Sequence, residues 1–230
     1  MRTSELEILG RLTDASNATF LCKIGVDEGG DDIYAVYKPT RGERPLDDFP
    51  RRTLSRREVA AFALSEATGW NIAPPTIWRD GPAGPGMAQL WMEPDPDADV
   101  VAMVVERDPR LRQMAVFDAV ANNADRKGGH ILPMANGHVF GVDHGICFAV
   151  EPKLRTVLWG WRGDPLRDDE KTVVRRVCDA LDGGPLAAEL GELLSSEEVR
   201  ATQRRAETLL FTGLFPEPDP SRPALPWPPF

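Results

Sequence analysis

The chain has 230 residues, 42% of them apolar and 27% charged, with a formal net charge of -9 at pH 7. That length suits one domain, or two small lobes sharing a cleft, and the composition excludes a disordered chain. The acidic balance argues against a general nucleic-acid or anionic-membrane binder.

The first pattern is the alternation of Phe20, Cys22 and Ile24 with Thr19, Leu21 and Lys23, which predicts a strand. A second strand is expected from Asp31 to Lys38, with Gly29 and Gly30 making a hairpin between them. Ser55 to Thr68 then has helical spacing of Val59, Phe62, Ala63 and Ala67, with Gly69 placed as a C-terminal cap. Pro74 and Pro75 interrupt, Met87 to Met92 predicts another strand, and Pro94 to Asp99 breaks the pattern.

Leu111 to Ala121 predicts a largely buried helix. Two short strands, Ile131 to Met134 and His138 to Val142, are joined through Asn136-Gly137, a hairpin signal because both residues tolerate positive φ. Helices are expected at Asp168 to Leu181 and Ser195 to Leu210, the latter opened by Ser195 and Glu198 at capping-box spacing. Pro216 to Phe230 is too rich in proline for a helix and predicts extended packing or disorder. Cys22, Cys147 and Cys178 form no CxxC pair, which argues against a disulfide framework and fits a cytoplasmic protein. No run reaches the roughly 18 apolar residues of a membrane span, and Met1 to Gly10 has no signal-peptide core, so a soluble protein without a transmembrane segment is expected.

Chemistry concentrates between Asp125 and Asp143. Asp125, Arg126 and Lys127 precede two glycines and His130, and the hairpin then delivers Asp143, followed by His144 and Gly145. Two carboxylates on a loop and a hairpin can face each other, as phosphoryl transfer requires: one orients or deprotonates the acceptor and the other holds a divalent ion. Asp125 takes the first role and Asp143 the second. His130, His138 and His144 all fall in this window, so a zinc or iron site of His and Asp is the competing reading.

A kinase also needs a strand lysine for the nucleotide phosphates and a helix glutamate to position it. Lys38 ends the second strand and Glu58 lies in the first turn of the next helix. Ser55 and Glu58 also stand at capping-box spacing, the alternative use of that glutamate. The segment Gly10 to Thr19 has small and hydrogen-bonding residues suited to a turn over phosphates, without a Walker or GxGxxG pattern.

The blocks NNADRKGGH and GHVFGVDHG resemble the catalytic loop and metal motif of the actinobacterial phosphatidylinositol 3- and 4-kinase-like family, and more distantly the HipA-type kinases. The resemblance implies an α+β, protein-kinase-like bilobal fold: a strand-rich N-lobe over 1–93, a helical C-lobe over 94–215 and a proline-rich tail over 216–230. It implies ATP as cofactor with Mg2+ or Mn2+, Ser16 and Asn17 at the phosphates, Lys38 binding them and Glu58 supporting Lys38. The adenine hinge would be Gln89 to Glu93, including Trp91 and Met92, with Asp125 catalytic and Asp143 on the metal.

Two departures stand out: Lys127 replaces the family's usual histidine, and His130 stands where an asparagine normally helps hold a metal ion. His130 can serve as a metal ligand through neutral imidazole, favouring manganese, and Lys127 can stabilise transferring phosphate or be a solvated loop residue. The expected activity is an ATP-dependent phosphotransferase with an unidentified acceptor; the alternatives are a nucleotide-binding pseudokinase scaffold and a His/Asp metallohydrolase of phosphate esters. The basic run Arg41, Arg44, Arg51, Arg52, Arg56 and Arg57 is either a receiver for an acidic or phosphorylated substrate or a solvated face.

Overall fold

The computed structural model describes residues 5–12, 17–26 and 30–230. Its N-terminal part is an antiparallel sheet of five strands, β1 (Glu7–Arg11), β2 (Phe20–Val26), β3 (Asp32–Pro39), β4 (Thr76–Gly81) and β5 (Gly84–Leu90), in the order β1-β2-β3-β5-β4. The period of two along β3 sends Ala35 and Tyr37 into a small core with Cys22, Ile24 and Leu6. The same period turns Val36 and Lys38 to the opposite face, where both line a cleft. Gly29, expected in the turn between β2 and β3, lies outside the described residues.

The sequence reading missed both edge strands. β1 is exposed along its whole length and has no buried face to produce alternation, and β4 runs between a proline pair and a Gly/Pro-rich turn. Each is held by backbone pairing to its neighbour, β1 to β2 and β4 to β5. In β5, Gly86 is required where its backbone runs close against the Lys38 carbonyl, a space that a Cβ would occupy.

Helix α1 (Leu54–Thr68) ends at Gly69, whose φ of 67° lets its N–H return to Ser65 and Glu66 carbonyls. Its start differs from expectation. Ser55 and Glu58 make no capping box; instead the Glu43 carboxylate accepts hydrogen bonds from the Leu54 and Ser55 N–H groups at 3.1 and 2.8 Å and from the Ser55 hydroxyl at 2.6 Å. An acid placed at the helix N-terminus satisfies the orphan amides and the macrodipole together. Glu58 is thereby free for another partner.

The remaining elements are α2 (Val100–Val105), α3 (Arg112–Ala121), a hairpin of β6 (Ile131–Pro133) and β7 (Val139–Gly141), α4 (Asp168–Leu181), α5 (Pro185–Leu193) and α6 (Ser196–Thr212). In the hairpin turn only Gly137 takes positive φ, at 86°, and Asn136 does not. One hydrophobic core joins α1, α3 and the C-terminal helices through Leu64, Met114, Phe117, Phe148 and Leu190. Because α1 packs on β4 and β5 and also on α4 and α5, its buried surface is wider than one stripe, with Ala60, Ala61, Leu64, Ser65 and Thr68 all buried. The whole is a bilobal α+β arrangement, a strand-rich part followed by a helical one.

A buried ion pair ties α1 to α6: the Arg57 guanidinium meets the Glu198 carboxylate and donates to the Cys147 carbonyl at 2.7 Å. Glu198 also completes the expected capping box with Ser195. The tail beyond α6 is irregular and packed, Ala224 accepting from Thr156 N–H at 3.2 Å and Trp159 Nε1 at 2.8 Å. Among the described residues, no helix is long and apolar enough to cross a membrane. Glu198→Ala leaves the Arg57 charge buried and removes the side-chain half of the capping box; a loss of about 3–5 kcal/mol in unfolding free energy is expected in urea denaturation.

Candidate active site

Lys38, at the end of β3, extends from the cleft face of the sheet to two carboxylates. Its Nζ lies 2.6 Å from Glu58 Oε1 and 2.7 Å from Asp143 Oδ1. The other Glu58 oxygen accepts the His144 N–H at 2.9 Å, so one glutamate fixes both the lysine and the backbone after β7. Burial works against the lysine charge, but Asp143 and Glu58 outweigh it and raise the ammonium above its ordinary pKa. The Lys38 charge in turn holds Asp143 well below the usual carboxylate range.

The second group comes from the loop after α3. Asn122 ends the helix in the left-handed region at φ 54°, and Asn123 Oδ1 then accepts the Asp125 N–H at 3.0 Å. Arg126 is wholly buried and forms a fork with Asp118 of α3, Nε to Oδ2 and Nη2 to Oδ1, both 2.9 Å. Its remaining donors reach the His130 carbonyl at 3.2 Å, the Val142 carbonyl at 3.0 Å and His144 Nε2 at 2.7 Å. One planar cation therefore binds the Asp125 loop to the segment that carries Asp143.

The three histidines separate. His130 Nδ1 lies 2.9 Å from the Asp125 carbonyl, which makes that nitrogen the protonated one and leaves the Nε2 lone pair facing Asp143 Oδ2 at 3.4 Å. Burial lowers its pKa, favouring the neutral ligand form. His144 is buried and held neutral by burial and by Arg126, and its Nδ1 has no partner among the described residues. His138 sits on the hairpin's far side, against Asn71 O and the Phe140 ring. No set of three or more His, Cys, Asp or Glu suited to one ion exists among the described residues, which removes the geometric basis for a protein-enclosed zinc or iron site.

Asp125 is raised by burial, partly offset by Lys127 and His130, and Lys127 Nζ lies 3.4 Å from its Oδ2. Both line a cleft of about 720 Å³ with Lys38, His130 and Asp143. Val36, Leu90, Trp91, Met92 and Glu93 form its other wall. Gln89 is at the wall but its side chain donates to Thr76 Oγ1 at 2.8 Å, and Trp91 Nε1 donates to Glu93 Oε2 at 2.8 Å. Asn17 reaches the cleft edge, where its Oδ1 accepts the Arg44 N–H at 2.7 Å. Ser16 lies outside the described residues.

Asp118 and Asn123 had no role in the sequence reading, and His144 entered it only as a candidate ligand of a His/Asp metal site. The available signal was a lone carboxylate, Asp118, inside the apolar run Met114 to Ala121. The tail also enters this region: Gly128 N–H donates to the Pro229 carbonyl at 2.8 Å, and the Phe230 ring lies where a side chain on Gly128 would stand.

No family model matches the chain. It is 46% identical to Protein Rv2133c of Mycobacterium tuberculosis, over 98% of this chain and 92% of that protein. Its fold is similar to that of the Helicobacter pylori proinflammatory kinase CtkA, with a TM-score of 0.55, 10% identity, and coverage of 93% of this chain and 94% of that one.

Removing the Asp118 carboxylate strands the buried Arg126 charge. Asp118→Ala is expected to cost about 3–5 kcal/mol of stability, read by thermal and urea unfolding, with a larger loss than any single exposed arginine substitution on 40–53.

Proposed function

Because the chain belongs to the same family as Protein Rv2133c of Mycobacterium tuberculosis and has a kinase-like fold, we propose that it is an ATP-dependent phosphotransferase. The observation that carries this reading is the convergence on Lys38 Nζ of Glu58 at 2.6 Å and Asp143 at 2.7 Å, beside a cleft also lined by Asp125. A lysine positioned by a helix glutamate and facing a metal-type aspartate is the apparatus of phosphoryl transfer. The resemblance of NNADRKGGH and GHVFGVDHG to phosphoinositide-kinase-like sequences supports it.

In this reading the adenine lies against Val36 and the Leu90 to Glu93 wall, Asn17 sits near the phosphates, and Lys38 binds them. Asp143 and His130 fit a divalent ion. Two donors 3.4 Å apart match adjacent ligands of one ion, which lie about 3 Å apart at ordinary bond lengths, and two protein ligands suffice where phosphates and water complete the shell. Mg2+ or Mn2+ there would neutralise charge on the nucleotide phosphates. Asp125 orients the acceptor hydroxyl and takes its proton, a role helped by its raised pKa. Lys127 places positive charge at the same end of the cleft.

Transfer of labelled phosphate from ATP, to the protein itself or to a lysate component, is the test. Asp125→Asn should lower it by about 10²–10⁴-fold, and Asp143→Asn should abolish it. ATP that raises the melting temperature while no phosphate moves with either metal would replace the enzyme by a nucleotide-binding scaffold.

Two further outcomes are expected. The acceptor base must be ionised, so the rate should fall as pH drops through the Asp125 pKa. Since burial raises that pKa, the acid limb of kcat/KM should lie above the ordinary aspartate value of about 3.9. Replacing an imidazole by an amide oxygen hardens the site, so His130→Asn should lower the ratio of manganese-supported to magnesium-supported activity.

A further inference from the structure

The segment between β3 and α1 is tied down by several contacts, yet among the described residues four of its arginines have no side-chain partner. Glu43 is engaged by the α1 amides, Gly42 O accepts the Ala18 N–H at 3.0 Å, and Asp48 pairs with Lys153 at 2.8 Å. Phe49 is buried with Leu54 and Ala149, and the Arg57 and Lys153 cations lie over its ring at 4.9 and 5.1 Å. Two members of the basic run are spent on packing: Arg57 on Glu198, and Arg56 over the Trp78 ring at 4.7 Å. Among the described residues, the guanidinium groups of Arg41, Arg44, Arg51 and Arg52 make no hydrogen bond, ion pair or ring contact.

All four line one concavity of about 210 Å³, whose lining also includes Thr40. Thr40 Oγ1 is buried and has no hydrogen-bond partner among the described residues, an arrangement that costs free energy unless a ligand or water supplies one. Four arginines whose guanidinium groups have no partner among the described residues, lining one concavity, suit an oxyanion, which accepts from such donors. The single carboxylate in the lining, Glu43, is already satisfied by helix α1. The volume falls below the roughly 300–1,000 Å³ of pockets that enclose whole ligands, so it accommodates one charged group of a larger molecule.

The remainder of that molecule has a route to the chemistry. An adjoining pocket of about 410 Å³ shares Arg44, Pro45 and Leu46 with the arginine pocket and extends to Lys38, Asp125 and Asp143. Its lining shares Lys38, Asp125 and Asp143 with the larger cleft and lacks Val36 and the Leu90 to Glu93 wall.

We propose that Arg41, Arg44, Arg51 and Arg52 form an anchoring subsite for a phosphoryl group carried by the phosphate acceptor. The word acceptor rests on the phosphotransferase reading; oxyanion binding at the arginines does not. The soluble protein is tested first with inorganic phosphate, free of divalent metal, by thermal unfolding. At ten times its Kd, phosphate should raise Tm by about 3–5 °C in the wild type and in Lys38→Met. The rise should vanish in Arg44→Gln/Arg51→Gln and survive in part in Arg44→Lys/Arg51→Lys.

An equal rise in the Gln double variant overturns the proposal, as does loss of the rise in Lys38→Met with retention in the arginine variant, or an equal rise with chloride at matched ionic strength. Co-sedimentation with phosphatidylcholine–phosphatidic acid vesicles, if it depends on Arg44 and Arg51, assigns the phosphoryl group to a lipid. Phosphate response without co-sedimentation assigns it to a soluble molecule. Titration with a non-hydrolysable ATP analogue is run separately, and failure there removes the kinase reading while leaving the phosphate result in place.

Discussion

The ammonium of Lys38 is a largely desolvated positive charge on a side chain 15% exposed, and much of the molecule is arranged around its neutralisation. A charge removed from water is tolerated only with close opposite charge, and here the two carboxylates come from different parts of the chain: Glu58 from α1 and Asp143 from the segment after β7. Each contact constrains its surroundings. Glu58 cannot serve both Lys38 and the start of α1, so Glu43 satisfies the helix amides from the preceding loop. β5 must approach the Lys38 backbone closely, and Gly86 permits it.

Arg126 applies the same constraint one layer deeper. Its fork to Asp118 supplies the neutralising charge, and the donors left over bond to the carbonyls of His130 and Val142. The loop bearing Asp125 and the segment bearing Asp143 are therefore positioned by one side chain that reaches neither carboxylate. Its proximity also disfavours protonation of His144, and burial does the same for His130, whose Nε2 then faces Asp143 as a neutral donor atom.

The arginines divide into two sets with different physics. Arg57, Arg112 and Arg126 are buried against Glu198, Glu170 and Asp118; the first two pairs join elements far apart in sequence, and the third ties the Asp125 loop to the helix just before it. Arg41, Arg44, Arg51 and Arg52 are exposed, and among the described residues unpaired, on a loop held by Glu43 and Phe49. In a chain of net charge -9 such a local surplus creates a field directed at anions beside the cleft.

Local periodicity made several elements legible before any coordinates: α4 spans Asp168–Leu181 as its spacing indicates, α6 opens on the Ser195 and Glu198 box, and Gly69 closes α1. Lys38, Glu58, Asp125 and Asp143 could be singled out beforehand by residue type and order, and the structure brings all four to one pocket. Edge strands β1 and β4 were not legible, since backbone pairing with a neighbour leaves no pattern in their own side chains. Nor could spacing choose between Glu58 as a cap and Glu58 as a lysine partner, assign His130 and not His138 to the cleft, or find Asp118 for Arg126. Those outcomes depend on which charges burial brings within about 3 Å, and Lys38 and Asp143 are 105 residues apart in the chain. Residue types and short-range order were determined by the sequence alone; the pairing of buried charges was decided by the tertiary structure, because only packing removes the water that would otherwise screen them.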